Sequence, residues 1–134
     1  MIGHLLPPAE QVAITWAIQV PELQAIQGDR IGTRLAATLP ATRVTRVGNP
    51  PVDPWEDDAS LQFECWGSTQ TDADRLMRTT LAALPSIRFW TAAGGKVHTY
   101  EVTSGPYWQP DDPNLSKNAR YIFTVDLLIT PQGA

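Results

Sequence analysis

The sequence has few of the side chains that enzymes use for acid–base, nucleophilic or metal chemistry, with two histidines and one cysteine among 134 residues. One cysteine cannot form an internal disulfide, so the chain is expected to fold in a reducing compartment or to need no disulfide. Cys65 alternates with Leu61 and Phe63, which favours a buried, inert thiol. A metal site formed by Cys65, His98 and a carboxylate would lack paired ligand spacing. We therefore expect neither a metal nor a cofactor.

Motifs that would present a catalytic group are missing as well. The sequence has no Gly-x-Ser-x-Gly segment to expose a nucleophile. It has no phosphate-binding glycine loop, because Gly94-Gly95 is typical of a turn. We expect no enzyme, and a small hydrolase using His98 with a nearby carboxylate remains an alternative.

Excess positive charge and long apolar runs are also absent. The net charge is −4, with 14 acidic and 10 basic side chains, which argues against a nucleic-acid binder held by phosphate contacts. The longest apolar stretch, around residues 12–20, is too short to span a bilayer, so we expect no membrane. The N-terminal segment has no basic start and no small-residue cleavage site, which argues against a signal peptide.

The patterns that are present predict one domain over residues 1–134, with flexible ends at 1–7 and 131–134. The segment "AEQVAITWAIQV" has an apolar stripe at helical spacing, and Pro21 either ends that helix or restarts it as a further turn. The segment "TDADRLMRTTLAALP" predicts the clearest helix, with Thr71 as its N-cap and Pro85 as its stop.

Strand signals occur in the remaining segments. "TRVTRVG", "SLQFECWG" and "RYIFTVDLLIT" show β-branched content or strict alternation, and "KVHTYEVTSG" follows the glycine turn. In the last of these the core-facing side is ambiguous, and His98, Tyr100 and Val102 form the more apolar set. For "GDRIGTRLAATLP", a short strand and a helical turn both remain open.

These elements predict an α+β fold. We expect a single mixed or antiparallel β-sheet of four to five strands, with two main helices packed on one face and long loops. The other sheet face would be half apolar, with Trp66, Ile122 and Leu128 on it. A monomer rarely leaves such a face in water, so a partner is expected to cover it.

Charge is unevenly distributed along the chain. Four arginines fall within 17 residues, at Arg30, Arg34, Arg43 and Arg46, and a run of four carboxylates follows, at Asp53, Glu56, Asp57 and Asp58. The carboxylates lack calcium-loop spacing, which favours a solvated loop over a metal site. Two outcomes remain open for the opposite charges: they neutralise each other within one subunit, or they meet head-to-tail on neighbouring copies.

Two of the five tryptophans, Trp55 and Trp108, lie in proline-rich stretches that are predicted as loops, the second of which also holds Asp111 and Asp112. Aromatic side chains on stiffened loops form contact sites at low entropic cost. We expect a contact role for at least one of them. The alternative is that each folds back to plug the end of the sheet.

The order of these features resembles one known family. A strand ending in "RVG", a proline-rich acidic loop, a strand containing "ECWG", a helix opened by "TDADRL", then "SGPYWQPDD" and "ARYIFTVDLLI" are similar to the tail terminator, or tail-completion, proteins of long-tailed phages that infect actinobacteria. The resemblance covers roughly residues 5–130.

The resemblance implies a structural role without catalytic residues. Tail terminators form a homomeric ring that caps the tail tube, ends its polymerisation and joins the tail to the head-side connector, and the resemblance implies six subunits here. Expected partners are further copies of the chain, the tail tube protein and the connector or neck protein, and genomic DNA passes through the lumen without sequence-specific binding. The expected location is the head-proximal end of the virion tail, and the host cytoplasm during assembly.

The same resemblance implies contacts through sheet edges and long loops, here residues 50–58 and 107–117. A head–tail connector or head-closure protein of the phage neck is the nearest alternative, and a monomeric binding module is a further one. The predicted assembly residues are Arg30, Arg34, Arg43, Arg46, Asp53, Trp55, Glu56, Asp57, Asp58, Trp66, Trp108, Asp111, Asp112, Ile122 and Leu128.

Overall fold

Alternation of large apolar residues along three long strands produces one β-sheet in the computed structural model, which describes residues 6–51, 54–110 and 118–132. The strands are β1 (Ile31–Gly32), β2 (Ala41–Gly48), β3 (Asp57–Gly67), β4 (Thr91–Ala92), β5 (Gly95–Trp108) and β6 (Ala119–Pro131). The α-helices are α1 (Ala9–Gln19), α2 (Pro21–Gln27) and α3 (Gln70–Ala83), and a 3₁₀ helix, Leu84–Ile87, follows α3.

The fold is α+β with a single mixed sheet, as predicted, but the expected four to five strands and two helices are too few. The described residues contain six strands and three α-helices. Strands β1 and β4 have two residues each, too few to show a period of two in sequence. Helix α2 exists because Val20 is extended and Pro21 then occupies the first helical turn, where its missing N–H costs nothing.

The strand order in the sheet is β1-β2-β3-β6-β5-β4. Only β1 and β2 run parallel, and every other neighbouring pair is antiparallel. The central register pairs Phe63 with Phe123, whose rings stack with centroids 5.1 Å apart. This pair fixes which residues of β3 and β6 face the core, because a one-residue slip would reverse both faces.

All described α-helices lie on one face of the sheet, as predicted. Helix α3 packs on β3 and β6, while α1 packs on β1 and β2. Trp16 of α1 is fully buried, and its indole N–H donates to the hydroxyl of Ser86 at 2.9 Å. The core-facing side chains of the two central strands are also fully buried: Leu61, Phe63, Cys65, Phe123, Val125, Leu127 and Ile129.

The N-cap of α3 is Thr69 and not the predicted Thr71. Its hydroxyl accepts a hydrogen bond from the backbone N–H of Asp72 at 3.2 Å. Gly67 at the end of β3 lies against the first turn of α3, where a Cβ would come within 2.5 Å of the Ala73 nitrogen. The predicted stop at Pro85 is confirmed for the α-helix, which ends at Ala83, and the chain continues through the proline as a 3₁₀ helix.

Two predicted loops are shorter than expected because their flanking residues are paired in the sheet. Asp57 is paired with Ile129 at the start of β3. Trp108 is paired with Tyr121 at the end of β5. The long strand β6 supplies partners for both segments, and sequence alternation alone cannot indicate the length of a partner strand.

The predicted flexible ends are partly held by the fold. Pro7 is buried against Gly95, Pro131 belongs to β6, and the backbone N–H of Gln132 donates to the carbonyl of Gly94 at 2.8 Å. Residues 1–5 and 133–134 lie outside the described residues.

The more apolar set of β5 does not share one face: Tyr100 and Val102 pair with the core-facing Leu127 and Val125, although Val102 is exposed, whereas His98 lies on the other face. Val97 is the fully buried residue of this strand, and the register shifts between Val97 and Thr99. This bulge moves the alternation by one residue, so His98 lies on the opposite face from Val97.

Candidate functional site

The basic stretch predicted as an interface begins with Arg30, which instead holds two chain segments together. Its Nε donates to the Pro40 carbonyl at 2.9 Å and its Nη2 to the Ile26 carbonyl at 3.3 Å. Arg34 is exposed. Of these two arginines, only Arg34 keeps its charged group on the surface.

Arg46 and Asp57 form a bidentate ion pair on the helix-covered side of the sheet. Arg46 Nη1 lies 2.6 Å from Asp57 Oδ2, and Nη2 lies 2.7 Å from Oδ1. The side chain of Asp57 is 2% exposed and that of Arg46 is 24% exposed. The hydrogen bond to Asp57 raises the pKa of Arg46 above its usual value, against the opposing effect of burial. For this pair, the opposite charges are neutralised within one subunit.

Arg43 and Arg120 share the buried carboxylate of Glu64. The Arg120 Nη1 lies 2.9 Å from Glu64 Oε1, and the Arg43 Nε lies 3.6 Å from Oε2. The Arg120 guanidinium also lies over the Trp66 ring, 4.8 Å from its centroid. These contacts stabilise the sheet face that carries no helix among the described residues.

This helix-free face is less accessible than predicted. Trp66 and Ile122 are each 7% exposed and Leu128 is half-buried, and the Arg120 guanidinium covers the Trp66 ring. Within the described residues, the Trp66 indole N–H has no hydrogen-bond partner. The expectation of an open apolar face is therefore wrong, although all three residues lie on the predicted face.

The two tryptophans that the sequence places in loops are both accessible to solvent. Trp55 lies in a turn and is 67% exposed. Trp108 is 45% exposed and lies in β5, not in a loop, with its ring 5.1 Å from that of Tyr121. Glu56 and Asp58 are exposed. The predicted site residues Asp53, Asp111 and Asp112 lie outside the described residues.

Both lateral edges of the sheet have stretches without a strand partner among the described residues. Strand β1 pairs only with Thr42 and Arg43, so β2 is open from Val44 onward. On the other side, the backbone pairing of β5 with the β4 segment ends at Val97. Open strand edges present unpaired N–H and C=O groups that can bind another chain.

The large apolar side chains that are exposed lie along these same edges. One group surrounds β1, β2 and the start of β3, and the other lies along β4 and β5: they are Leu35, Val47 and Trp55, and Phe89, Val102, Tyr107 and Trp108. The structure thus places the predicted Trp55 and Trp108 on opposite edges. Tyr107 belongs to the predicted contact stretch 107–117, and the other four residues were not predicted as contacts.

One group of functional candidates missed by sequence reasoning is Arg88, Phe89 and Lys96. The Phe89 ring is 60% exposed, with the Arg88 guanidinium 5.1 Å and the Lys96 ammonium 5.8 Å from its centroid. The Gly94-Gly95 turn could have indicated this grouping, because folding the chain back there brings Lys96 towards the residues just before the turn.

The residues considered for catalysis or metal binding are separated by the sheet. Cys65 is fully buried on the helix side, where burial raises its pKa to about 12. His98 lies on the other face, with Nε2 2.7 Å from the Thr130 hydroxyl. No group of three His, Cys, Asp or Glu side chains positioned to hold a metal occurs in the described part of the chain.

One apolar groove lies on the helix layer. It has a volume of about 530 Å³ and is lined chiefly by Val20, Pro21, Ala83 and Pro85. It separates the junction of α1 and α2 from the end of α3 and lies away from the two sheet edges.

No helix in the described ranges is both long enough and apolar enough to cross a membrane. Comparison of the chain with models of known protein families gave no match, and comparison with curated proteins gave none either.

Proposed function

We propose that the protein is a virion structural protein, a tail terminator that forms a homomeric ring of six subunits on the tail tube. The ring ends tube polymerisation and joins the tail to the head-side connector. Its place is the head-proximal end of the virion tail, which is assembled in the host cytoplasm. The proposal rests on the family resemblance of the sequence together with the surface described above.

The observation that carries the proposal is the concentration of exposed apolar side chains along two open edges of one sheet. Val47 on the β2 edge and Val102 on the β5 edge are 50% and 39% exposed. A subunit with a distinct adhesive edge on each side can associate head-to-tail, and such a contact closes into a ring when the rotation between subunits permits it. Open edges that carry exposed apolar side chains are prone to pair with another chain.

The charge of the chain suits a ring through which DNA passes. The net charge is −4, and three of the four clustered arginines are engaged by a carboxylate or by backbone carbonyls within the subunit. A surface with few free cations binds phosphate groups weakly. DNA could therefore pass through the lumen without being retained.

The test is to polymerise the tail tube protein of the same phage with and without this protein, and to image the products by negative-stain electron microscopy. We expect six-membered rings at tube ends and arrest of tube growth. Binding to portal-bearing heads without any effect on tubes would overturn the terminator role in favour of a neck connector. A protein that stays monomeric and leaves tube growth unchanged would also overturn it.

A matched pair of variants tests the edge argument. Val47→Asp places a charge on the β2 edge, whereas Ala82→Asp places the same charge on the exposed surface of α3. We expect the first to prevent ring formation and the second to leave it unchanged, with both proteins folded by circular dichroism. Equal assembly of the two variants would contradict a role for the β2 edge.

A further inference from the structure

An exposed phenylalanine between two cations forms the most unusual surface of the described chain. Phe89 adopts a left-handed backbone conformation, with φ of 69°, which is costly for a bulky residue and is concentrated at functional sites. The fold holds it there through hydrogen bonds between the Phe89 N–H and the Val97 carbonyl at 2.8 Å and between the Val97 N–H and the Trp90 carbonyl at 2.9 Å. We call Arg88, Phe89 and Lys96 the basic patch.

The cations of the basic patch are available to a partner. Arg88 is exposed and Lys96 is half-buried. Neither forms an ion pair within the described ranges, where all four ion pairs involve other residues. In a chain with net charge −4, two such cations around an accessible ring are suited to an acidic and partly aromatic partner.

A surface of that chemistry exists on the same chain. Asp57 points to the helix side and is neutralised by Arg46, so alternation directs its neighbours Glu56 and Asp58 to the other side. Both are exposed and lack an ion pair among the described residues. They follow the exposed Trp55 directly, and we call Trp55, Glu56 and Asp58 the acidic tip.

The two surfaces lie at the same end of the sheet but on opposite sides. The register aligns Asp57 with Ile129 and Ile129 with Val97, so both surfaces are level along the strands. Strand β2 pairs with β3 only as far as Ser60, which leaves the first residues of β3 at the lateral border. The basic patch lies at the opposite border, beside β4. One subunit therefore cannot join them, whereas two subunits side by side can.

We propose that the basic patch of one copy binds the acidic tip of the next copy, and that this contact sets the direction of the ring. The proposal rests on the ring-forming function proposed above and identifies the residues of its interface. Phe89 would lie against Trp55 while Arg88 and Lys96 neutralise Glu56 and Asp58. Such a contact is head-to-tail, because each copy gives one surface to each neighbour.

Charge reversal tests the contact. One variant carries Arg88→Glu and Lys96→Glu, a second carries Glu56→Lys and Asp58→Lys, and a third carries all four changes. The control carries Arg75→Glu and Arg78→Glu on the exposed side of α3, which matches the charge change of the first variant. Ring formation is measured on tail tubes by electron microscopy and in solution by native mass spectrometry, with urea midpoints to confirm folding.

We expect each two-residue variant alone to lose ring formation by at least tenfold, and the control to behave as the wild type. The four-residue variant should recover, because every contact is then reversed on both sides. An equimolar mixture of the two two-residue variants should also recover ring formation, as an alternating ring with an even number of subunits. A direct contact between these two surfaces predicts both recoveries, and recovery as closed rings identifies the contact as head-to-tail.

Failure of this contact can be told from failure of the ring function. If the wild type forms rings that arrest tubes and the two-residue variants do so equally well, the contact is wrong and the function stands. Failure of both recoveries among folded variants also overturns the contact. Reduced retention of duplex DNA with intact rings after reversal at Arg88 and Lys96 would instead make the basic patch a lumen surface. If the wild type forms no rings, both proposals fall.

Discussion

The Arg46–Asp57 pair allows a quantitative test of how this fold uses its charges. Two parallel hydrogen bonds of 2.6 and 2.7 Å join the guanidinium to the carboxylate, and Arg46 also donates to the carbonyl of Asn49. The two partners differ in burial, since the Asp57 side chain is 2% exposed and that of Arg46 is 24% exposed. Removing one partner should therefore not cost the same as removing the other.

Arg46→Met keeps the aliphatic packing but leaves a carboxylate buried without a counter-charge. Breaking a buried pair in this way costs about 3–5 kcal/mol of unfolding free energy. Asp57→Asn leaves the guanidinium, which reaches water and keeps the Asn49 carbonyl, so its cost should be about 1–2 kcal/mol. The double variant Arg46→Met/Asp57→Asn removes both charges, and we expect it to be more stable than Arg46→Met alone.

The measurement is urea unfolding at neutral pH, followed by the combined fluorescence of the five tryptophans, of which Trp16 is fully buried. We expect Arg46→Met to lower the unfolding free energy most, and Asp57→Asn and the double variant to lower it less. The m-values of all three variants should be similar. Costs below about 0.5 kcal/mol for both single variants would class the pair with surface ion pairs. Equal costs, or a double variant no better than Arg46→Met, would refute the argument that burial of Asp57 determines the energy.

Two further outcomes follow from burial and backbone geometry. Burial raises the pKa of Cys65 to about 12, above the value of about 8.5 in the unfolded chain. The neutral thiol therefore makes its full contribution to the unfolding free energy below about pH 8.5, and that contribution is lost as pH rises towards 12. Between pH 7.5 and 9.5 the wild type should lose about 1.4 kcal/mol more unfolding free energy than Cys65→Ala, and parallel pH curves from urea titrations would contradict this. Gly105→Ala should cost roughly 2–3 kcal/mol, because φ is +86° and the new Cβ would lie 2.6 Å from the Ile122 oxygen and 2.9 Å from the Phe123 Cα. Gly94→Ala, with φ of +80° and open space, should cost about 1 kcal/mol, and equal melting temperatures for these two variants would show that the close approach is unimportant.

Sequence reasoning located the elements whose patterns are long. The three strands β2, β3 and β6 and the helix α3 each show several repeats of their period, and all four are present. Elements of two residues cannot show a period, so β4 was not identified. For β1 the sequence left a short strand and a helical turn open, and the structure has the strand at Ile31–Gly32. The bulge after Val97 reversed the alternation of β5, and an extra residue of this kind depends on the neighbouring strand, which the local sequence does not encode.

The candidate site was harder to predict than the fold, because the register of strand pairing decides which opposite charge, if any, a charged side chain contacts. The sequence shows Arg46 and Asp57 only as opposite charges 11 residues apart. Their contact follows from two further facts: Arg46 pairs with Leu61, which places it on the helix side, and β3 extends back to include Asp57. Neither fact is visible in the composition of the loop.

The two arginines of strand β2 form ion pairs within the subunit, whereas the cations beside the β4–β5 turn form none among the described residues. Arg43 and Arg46 alternate along β2, so each meets an acid on the adjoining strand, Glu64 in one case and Asp57 in the other. Arg88 lies before β4, outside the strands, and Lys96 is paired with Thr91 and Thr130, neither of which is acidic. A basic run in the middle of a strand is therefore a poor guide to an interface, and cations beside a turn with an exposed aromatic ring are a better one. The charge-reversal experiment separates these two interpretations. An interface at the arginines of β2 predicts that reversal at Arg88 and Lys96 leaves ring formation unchanged, whereas an interface at Phe89 predicts its loss.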